Sequence, residues 1–251
     1  MSSLAVLILA KNEEENIVGA VENAKCVTAD VVVIDAGSTD RTVELAKAHG
    51  AKVSFRAWTD DFSAQRNFAL GETRADWVLY LDADERLNDE LIAAVKKVIS
   101  SGKMDTQYAL ERRSVAFGET FRHGVLYPDH VRRLFPRDSV HWVHKVHEHP
   151  VCEWPEKRLP GYIEHHTYKD WHRWEEKLCL YTTVWAEDAY KRGKRTSKAG
   201  IYWHSLGGFF KMFLLRKGFL DGCMGSYLCC THFFYTMLKY LKLYELQQKG
   251  K

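Results

Sequence analysis

The six cysteines include no CxxC pair, which argues against a structural zinc site. No GxGxxG stretch is present, so a nicotinamide cofactor is disfavoured. No internal repeat or low-complexity linker divides the chain. A membrane-spanning run is also missing. The longest uncharged run, 222–238, carries Ser226, Thr231 and His232 and is short and polar for a bilayer core. The first apolar run, 4–10, leads at once into "KNEEEN" and does not read as a secretion signal. Free thiols and a cytoplasmic location are therefore expected. The net charge of +3 is too small to indicate a nucleic-acid partner.

What is present is an ordinary globular composition, 46% hydrophobic and 27% charged over 251 residues. Charge is unevenly placed: acids dominate 12–90, while 189–220 holds eight Lys or Arg and no acid. "LAVLIL" (4–9), "VVVI" (31–34), "KVSF" (52–55) and "WVLYL" (77–81) are short apolar runs that read as strands. Helical segments lie between them. Asn12 with Glu15 reads as a helix start, followed by Ile17, Val21 and Ala24 on one face. Gly50 suits a helix C-terminus, a helix crosses "SAQRNFALGE", and Asn88 caps a helix to about Ser100. Strands alternating with helices predict a three-layer α/β fold with parallel strands. Further strands are expected at 108–113, 131–135 and 140–148, and helices from Trp171. One domain over 1–170, with halves 1–103 and 104–170, followed by a helical extension over 171–251, is the expected organisation.

Ligands of such sheets sit outside the carboxyl ends of the strands, where Asp35 and Asp82 fall. Asp82-Ala83-Asp84 places two carboxylates on one side of an extended segment, suited to a hard divalent cation that also holds a diphosphate. The plainer reading is a polar strand end with solvated acids. Asp35, ending a buried strand, can bond a ribose hydroxyl or a base edge. Asp40 reads as a helix cap.

"LILAKNEEENI", "VVVIDAGSTDRT", "FSAQRNFAL" and "DWVLYLDADERL" resemble, in order and spacing, glycosyltransferase family 2 with the GT-A fold. The resemblance covers about residues 3–100. It implies that Asp35 contacts uridine, Asp82 the ribose or diphosphate, and Asp84 a Mg2+ or Mn2+ ion. It also implies that Lys11, Asn12 and Glu13 line the nucleotide site, and that Arg66 lies near the donor phosphates or forms a helix-surface ion pair. "FRHGVLYPDHVRRLFPRD", "VHWVHKVHEHP" and "KGFLDGCMGSY" are similar to the subgroup that adds glucose, in a β linkage, to the first heptose of the lipopolysaccharide inner core. Under that resemblance Glu148 is the base of an inverting transfer from a UDP-sugar, or else a surface acid paired with Lys145. His147 or His149 could complete the metal's shell. His123, Arg132 and Arg133 could address an anionic acceptor. Basic residues 191–198 beside Trp203, Phe209, Phe210, Phe213 and Phe219 suit an anionic membrane surface, which implies a peripheral place on the cytoplasmic face of the inner membrane. Two alternatives come from other classes. One is a haloacid-dehalogenase-like phosphotransferase with Asp82 as nucleophile, though its DxD should follow the first strand rather than the fourth. The other is a membrane-associated nucleotide-sugar binding module without turnover.

Overall fold

The computed structural model describes residues 2–144 and 148–249. Its contacts divide the chain into two units, one of 1–112 with 129–165 and one of 113–128 with 166–251. Residues 113–128 group with the C-terminal helices rather than with the sheet.

The first unit alternates strands and helices: β1 (Leu4–Ala10), α1 (Ile17–Lys25), β2 (Asp30–Asp35), α2 (Thr42–Ala48), β3 (Lys52–Phe55), α3 (Phe62–Gly71) and β4 (Trp77–Asp82). The short β5 (Glu85–Leu87) and α4 (Asp89–Ser101) follow, then β6 (Gln107–Ala116) and, beyond the excursion into the second unit, β8 (Asp129–Pro136). A hairpin of β9 (Val140–Val143) and β10 (His149–Cys152) precedes β11 (Glu156–Tyr168). Strand order is β3-β2-β1-β4-β8-β6-β11-β5. The first four strands are mutually parallel, and β8 turns the ladder antiparallel. The α/β class and the helical C-terminal region are as expected.

β1 is apolar throughout because both of its faces are covered. Val6, Ile8 and Ala10 pack with Ile17 and Val21 of α1 and Leu91 and Val95 of α4. Ala5 and Leu7 face Ala69 of α3 and Trp142 of the hairpin. Asn88 caps α4 by accepting from the Leu91 N–H, and Gly102 closes the helix at φ +68°. Gly161, at φ +84°, admits the close approach of α4, since a Cβ there would strike the Leu91 nitrogen.

Two local expectations fail. Asn12 does not start a helix: α1 begins at Ile17, and Asn12 lies at φ +56° in a loop. There its Oδ1 accepts from the Thr39 N–H while its own N–H donates to Ser38 Oγ. Residues 140–148 are not one strand, because the chain reverses between Val143 and His149.

The second unit holds the two-residue strand β7 (Glu119–Thr120), paired with the end of β6, and three helices, α5 (Trp171–Lys191), α6 (Lys198–Phe210) and α7 (Gly222–Lys249). Ala186, Ala189, Ile201, Tyr240 and Leu243 join the helices. After α6 the chain makes a π-helical turn, Lys211–Leu215, and a tight turn at Gly218–Asp221. Gly218 is required there, because a Cβ would run into Cys229 Sγ.

Candidate active site

At the carboxyl ends of β1, β2 and β4 the first unit opens into a cavity of about 330 Å³, within the range of small-molecule sites. Its apolar lining includes Leu9, Ile34, Trp58 and Phe62. Trp58 and Phe62 meet edge to face at 4.6 Å. Its charged lining comprises Lys11, Glu13, Arg66, Asp82, Asp84 and Glu148.

A chain of charges runs behind this lining. Arg66, on α3, is only 4% exposed. Its Nη2 donates to Asp82 Oδ1 at 3.0 Å and its Nε to Glu148 Oε1 at 3.4 Å. Its guanidinium carbon lies 4.8 Å from the Trp142 ring and 5.7 Å from the Tyr80 ring, and the Tyr80 hydroxyl donates to the Arg66 carbonyl. Asn67 and Trp142 exchange two hydrogen bonds that fix α3 to β9. Arg133, on β8, donates to Asp82 Oδ2 at 2.7 Å and to Glu85 Oε1 at 3.1 Å. Burial alone would raise the Asp82 pKa, but the charges of Arg133 and Arg66 hold it well below the usual carboxylate range. Glu85 is fully enclosed, and burial pushes its pKa up despite Arg133. Burial opposes the charge on Arg133, but Asp82 and Glu85 outweigh it and keep the guanidinium protonated.

A second cavity, of about 300 Å³, shares Arg66 and Glu148 with the first. These two side chains form a common wall.

Lys11, Glu13, Arg66, Asp82, Asp84 and Glu148 are thus brought together. Asn12 is not: it ties the β1 loop to the β2 loop. Asp35 also departs from expectation. In the ladder Leu9 pairs with both Ile34 and Asp82, whereas Asp35 pairs with Ala10, so Asp35 and Asp82 stand on opposite sheet faces. Asp35 is 5% exposed, and its carboxylate accepts from the Gly37 and Ser38 N–H groups. Its neighbours Ile34 and Ala36 reach the cavity. Asp82 holds two arginines with its two oxygens and does not stand open as a metal ligand. His149 rests against His144 in the hairpin at 4.9 Å between ring centres and does not line either cavity. His147 lies outside the described residues. His123 belongs to the second unit, where its Nδ1 pairs with Asp221 at 2.7 Å. Arg133 is a buried network member as well as a wall of the second cavity, whereas Arg132 lines that cavity with its side chain 33% exposed.

Sequence reasoning missed His165, whose Nε2 lies 3.3 Å from Asp84 Oδ2. It also missed the Trp58–Phe62 wall. Among the described residues no three acidic, histidine or cysteine side chains cluster as a metal site. Asp84 and His165 nevertheless form a two-donor set beside the cavity. That set fits a divalent cation whose remaining ligands are substrate phosphate and water.

The Glycosyl transferase family 2 profile matches residues 5–146. An uncharacterised glycosyltransferase of Rickettsia typhi is 27% identical over 100% of this chain and 90% of its own length. Glycosyltransferase SunS of Bacillus subtilis is 29% identical over 57% of this chain and 34% of its own. Among solved structures, glucosyl-3-phosphoglycerate synthase from Mycobacterium tuberculosis, in complex with Mn2+, UDP and glucosyl-3-phosphoglycerate, aligns over 55% of this chain and 57% of its own. That alignment has 19% identity and a TM-score of 0.39.

Proposed function

Because the chain belongs to glycosyl transferase family 2, we propose that it moves a hexose, glucose, from a UDP-sugar to a heptose of the lipopolysaccharide inner core with inversion. The observation that carries the transfer chemistry is the shared wall: one carboxylate, Glu148, lines both the first cavity and a second cavity beside it. The uridine and heptose assignments rest on the sequence resemblance.

In this reading the apolar lining contacts the nucleoside base, and the charged lining faces the diphosphate. Glu148 takes the acceptor hydroxyl's proton as that oxygen attacks the anomeric carbon, so no protein nucleophile is needed. Arg66 orients Glu148 through their hydrogen bond. Asp84 and His165 would hold Mg2+ or Mn2+, which when bound neutralises charge on the leaving diphosphate. The phosphotransferase alternative loses its nucleophile, because Asp82 is clamped between two guanidiniums. Turnover separates the transferase from a binding module.

The second unit supports contact with an anionic membrane surface. Leu215 is 80% exposed, with Phe210, Leu214, Phe219 and Leu220 also exposed around it. Among the described residues no carboxylate pairs with the neighbouring Lys211, Arg216 or Lys217, and Asp221 is turned to His123. No helix is long and apolar enough to cross a membrane, so the contact is interfacial. Vesicles of phosphatidylcholine with phosphatidylglycerol should retain the protein, and Leu215→Glu should release it. Equal retention of both forms would remove this part of the reading.

The principal test compares lipopolysaccharide by mass spectrometry from cells with and without the gene. Loss of one core hexose is expected, restored by wild type but not by Asp84→Ala or Glu148→Ala. An unaltered glycan in the deletion strain would overturn the proposal.

A further inference from the structure

The second cavity has a lining that the transfer of a neutral sugar does not require. Arg66, Arg112, Arg132, Arg133 and His130 face it, against one carboxylate, Glu148. Acids do stand behind these cations: Asp82 and Glu85 hold Arg66 and Arg133 as described, and Asp129 holds Arg112 with two hydrogen bonds of 2.8 and 3.1 Å. Glu85 also lies 3.5 Å from Arg112. The compensation is incomplete in two respects. Arg132 reaches a carboxylate, that of Glu156, only at 3.9 Å, beyond hydrogen-bond length. Among the described residues, Arg66 Nη1 and Arg133 Nε are buried donors without an acceptor, in side chains only 5% exposed. An unmet N–H on a buried guanidinium is costly, and an oxyanion at this lining is what a guanidinium fork matches best.

We propose that this cavity is an acceptor subsite for an oxyanion, so that the enzyme selects an acceptor carrying a phosphate monoester or a carboxylate near the hydroxyl that reacts. The anion docks on Arg132, with Arg112 and His130 at the rim and Arg66 and Arg133 behind, and the adjoining hydroxyl then meets Glu148. A neutral sugar offers these guanidiniums only hydroxyl oxygens, weaker acceptors than an oxyanion. The proposal rests on the transferase reading and adds to it the chemistry of the acceptor. Arg132 is the residue through which it can be tested, because Arg132 does not line the first cavity and its loss disturbs no buried pair.

The test uses the full chain and three probes, glucose 6-phosphate, glucuronate and glucose, titrated by calorimetry into protein saturated with UDP and Mn2+. UDP is titrated first, alone, so that a failed donor site is recognised separately. Glucose 6-phosphate, glucuronate or both should bind, and glucose should bind at least tenfold more weakly, as expected for a charge-assisted contact. The stronger of the two anions identifies the group carried by the acceptor. Arg132→Ala should weaken anion binding about tenfold and leave the UDP titration as it is in wild type, with Arg132→Lys intermediate. Glucose binding as tightly as the anions, no heat from either anion, or anion binding that Arg132→Ala leaves intact would each overturn the proposal, even where UDP binds normally.

Discussion

In the first unit five charged side chains, Glu85, Arg133, Asp82, Arg66 and Glu148, are linked by hydrogen bonds from the sheet interior to a cavity wall. In the second unit the pattern reverses: leucines and phenylalanines stand in the open, and among the described residues no carboxylate pairs with Lys211, Arg216 or Lys217 beside them. Interior charge is expensive, and one partner removed leaves another exposed to that cost. Outward apolar surface gives up burial energy and marks a contact surface. The first unit therefore uses charge to organise a site internally, whereas the second presents it externally.

The largest expected effect tests the first side of this contrast. Glu148→Gln should lower kcat/KM on the order of 1,000-fold, as for loss of a general base, with a smaller loss of stability than at Asp82, since its bond to Arg66 is the longer one at 3.4 Å. A tenfold loss or less would mean that the shared wall is only a lining. Asp82→Asn should then cost about 3 kcal/mol in urea unfolding at neutral pH, because it leaves Arg66 and Arg133 short of a partner. Glu85→Gln should cost less, since burial already favours its protonated form. The two carboxyls also differ in sign with pH. Folding lowers the Asp82 pKa, so its contribution is complete above the ordinary value of 3.8 and is lost as pH falls through the folded value. Folding raises the Glu85 pKa, so its contribution is present below 4.5 and is lost as pH rises through its folded value. Asp82→Asn should flatten the acid limb of the stability curve, and Glu85→Gln should not.

The third prediction probes the second unit. His232 is pushed down from 6.5 to about 4, first by burial and then by Lys239, Arg216 and Lys211. The unfolded chain therefore takes up this proton first, and helix stability is lost as pH falls from 6.5 toward 4. The loss should be about 3 kcal/mol, read from urea melts followed by helical circular dichroism, and His232→Gln should abolish it. The smallest effect concerns Lys217, which lies at φ +54°. Lys217→Gly should relieve the left-handed backbone and stabilise by about 0.5 kcal/mol, while thinning the unpaired charge beside Leu215.

The elements of the first unit that are set by local pattern could be read from the chain. β1, β2 and β4 are buried on two faces and so read as unbroken apolar runs, and α4 carries its own cap in Asn88 and its stop in Gly102. The placement of Asp82 and Asp84 at a ligand-facing strand end followed from the same pattern. Features made by distant partners were not legible. Asn12 bonds a loop 26 residues away, so its capping character served another turn. His165 meets Asp84 only because β11 lies antiparallel to β5, and no local spacing signals that. Arg133 read as a candidate contact for the acceptor, and only the sheet order shows that it turns inward to Asp82. The opposite facing of Asp35 and Asp82 is a matter of one residue of register, which two separate apolar runs cannot encode.

A single partition made of Arg66 and Glu148 serves two chambers, and this restricts how the protein can diversify. If the first chamber takes the sugar nucleotide, as proposed, reshaping it at Arg66 for a different donor also moves the boundary of the other. Descendants with altered donor choice should therefore carry compensating changes around β8 and the β9–β10 hairpin, and swapping donor preference by one substitution should yield an enzyme that discriminates poorly on both sides.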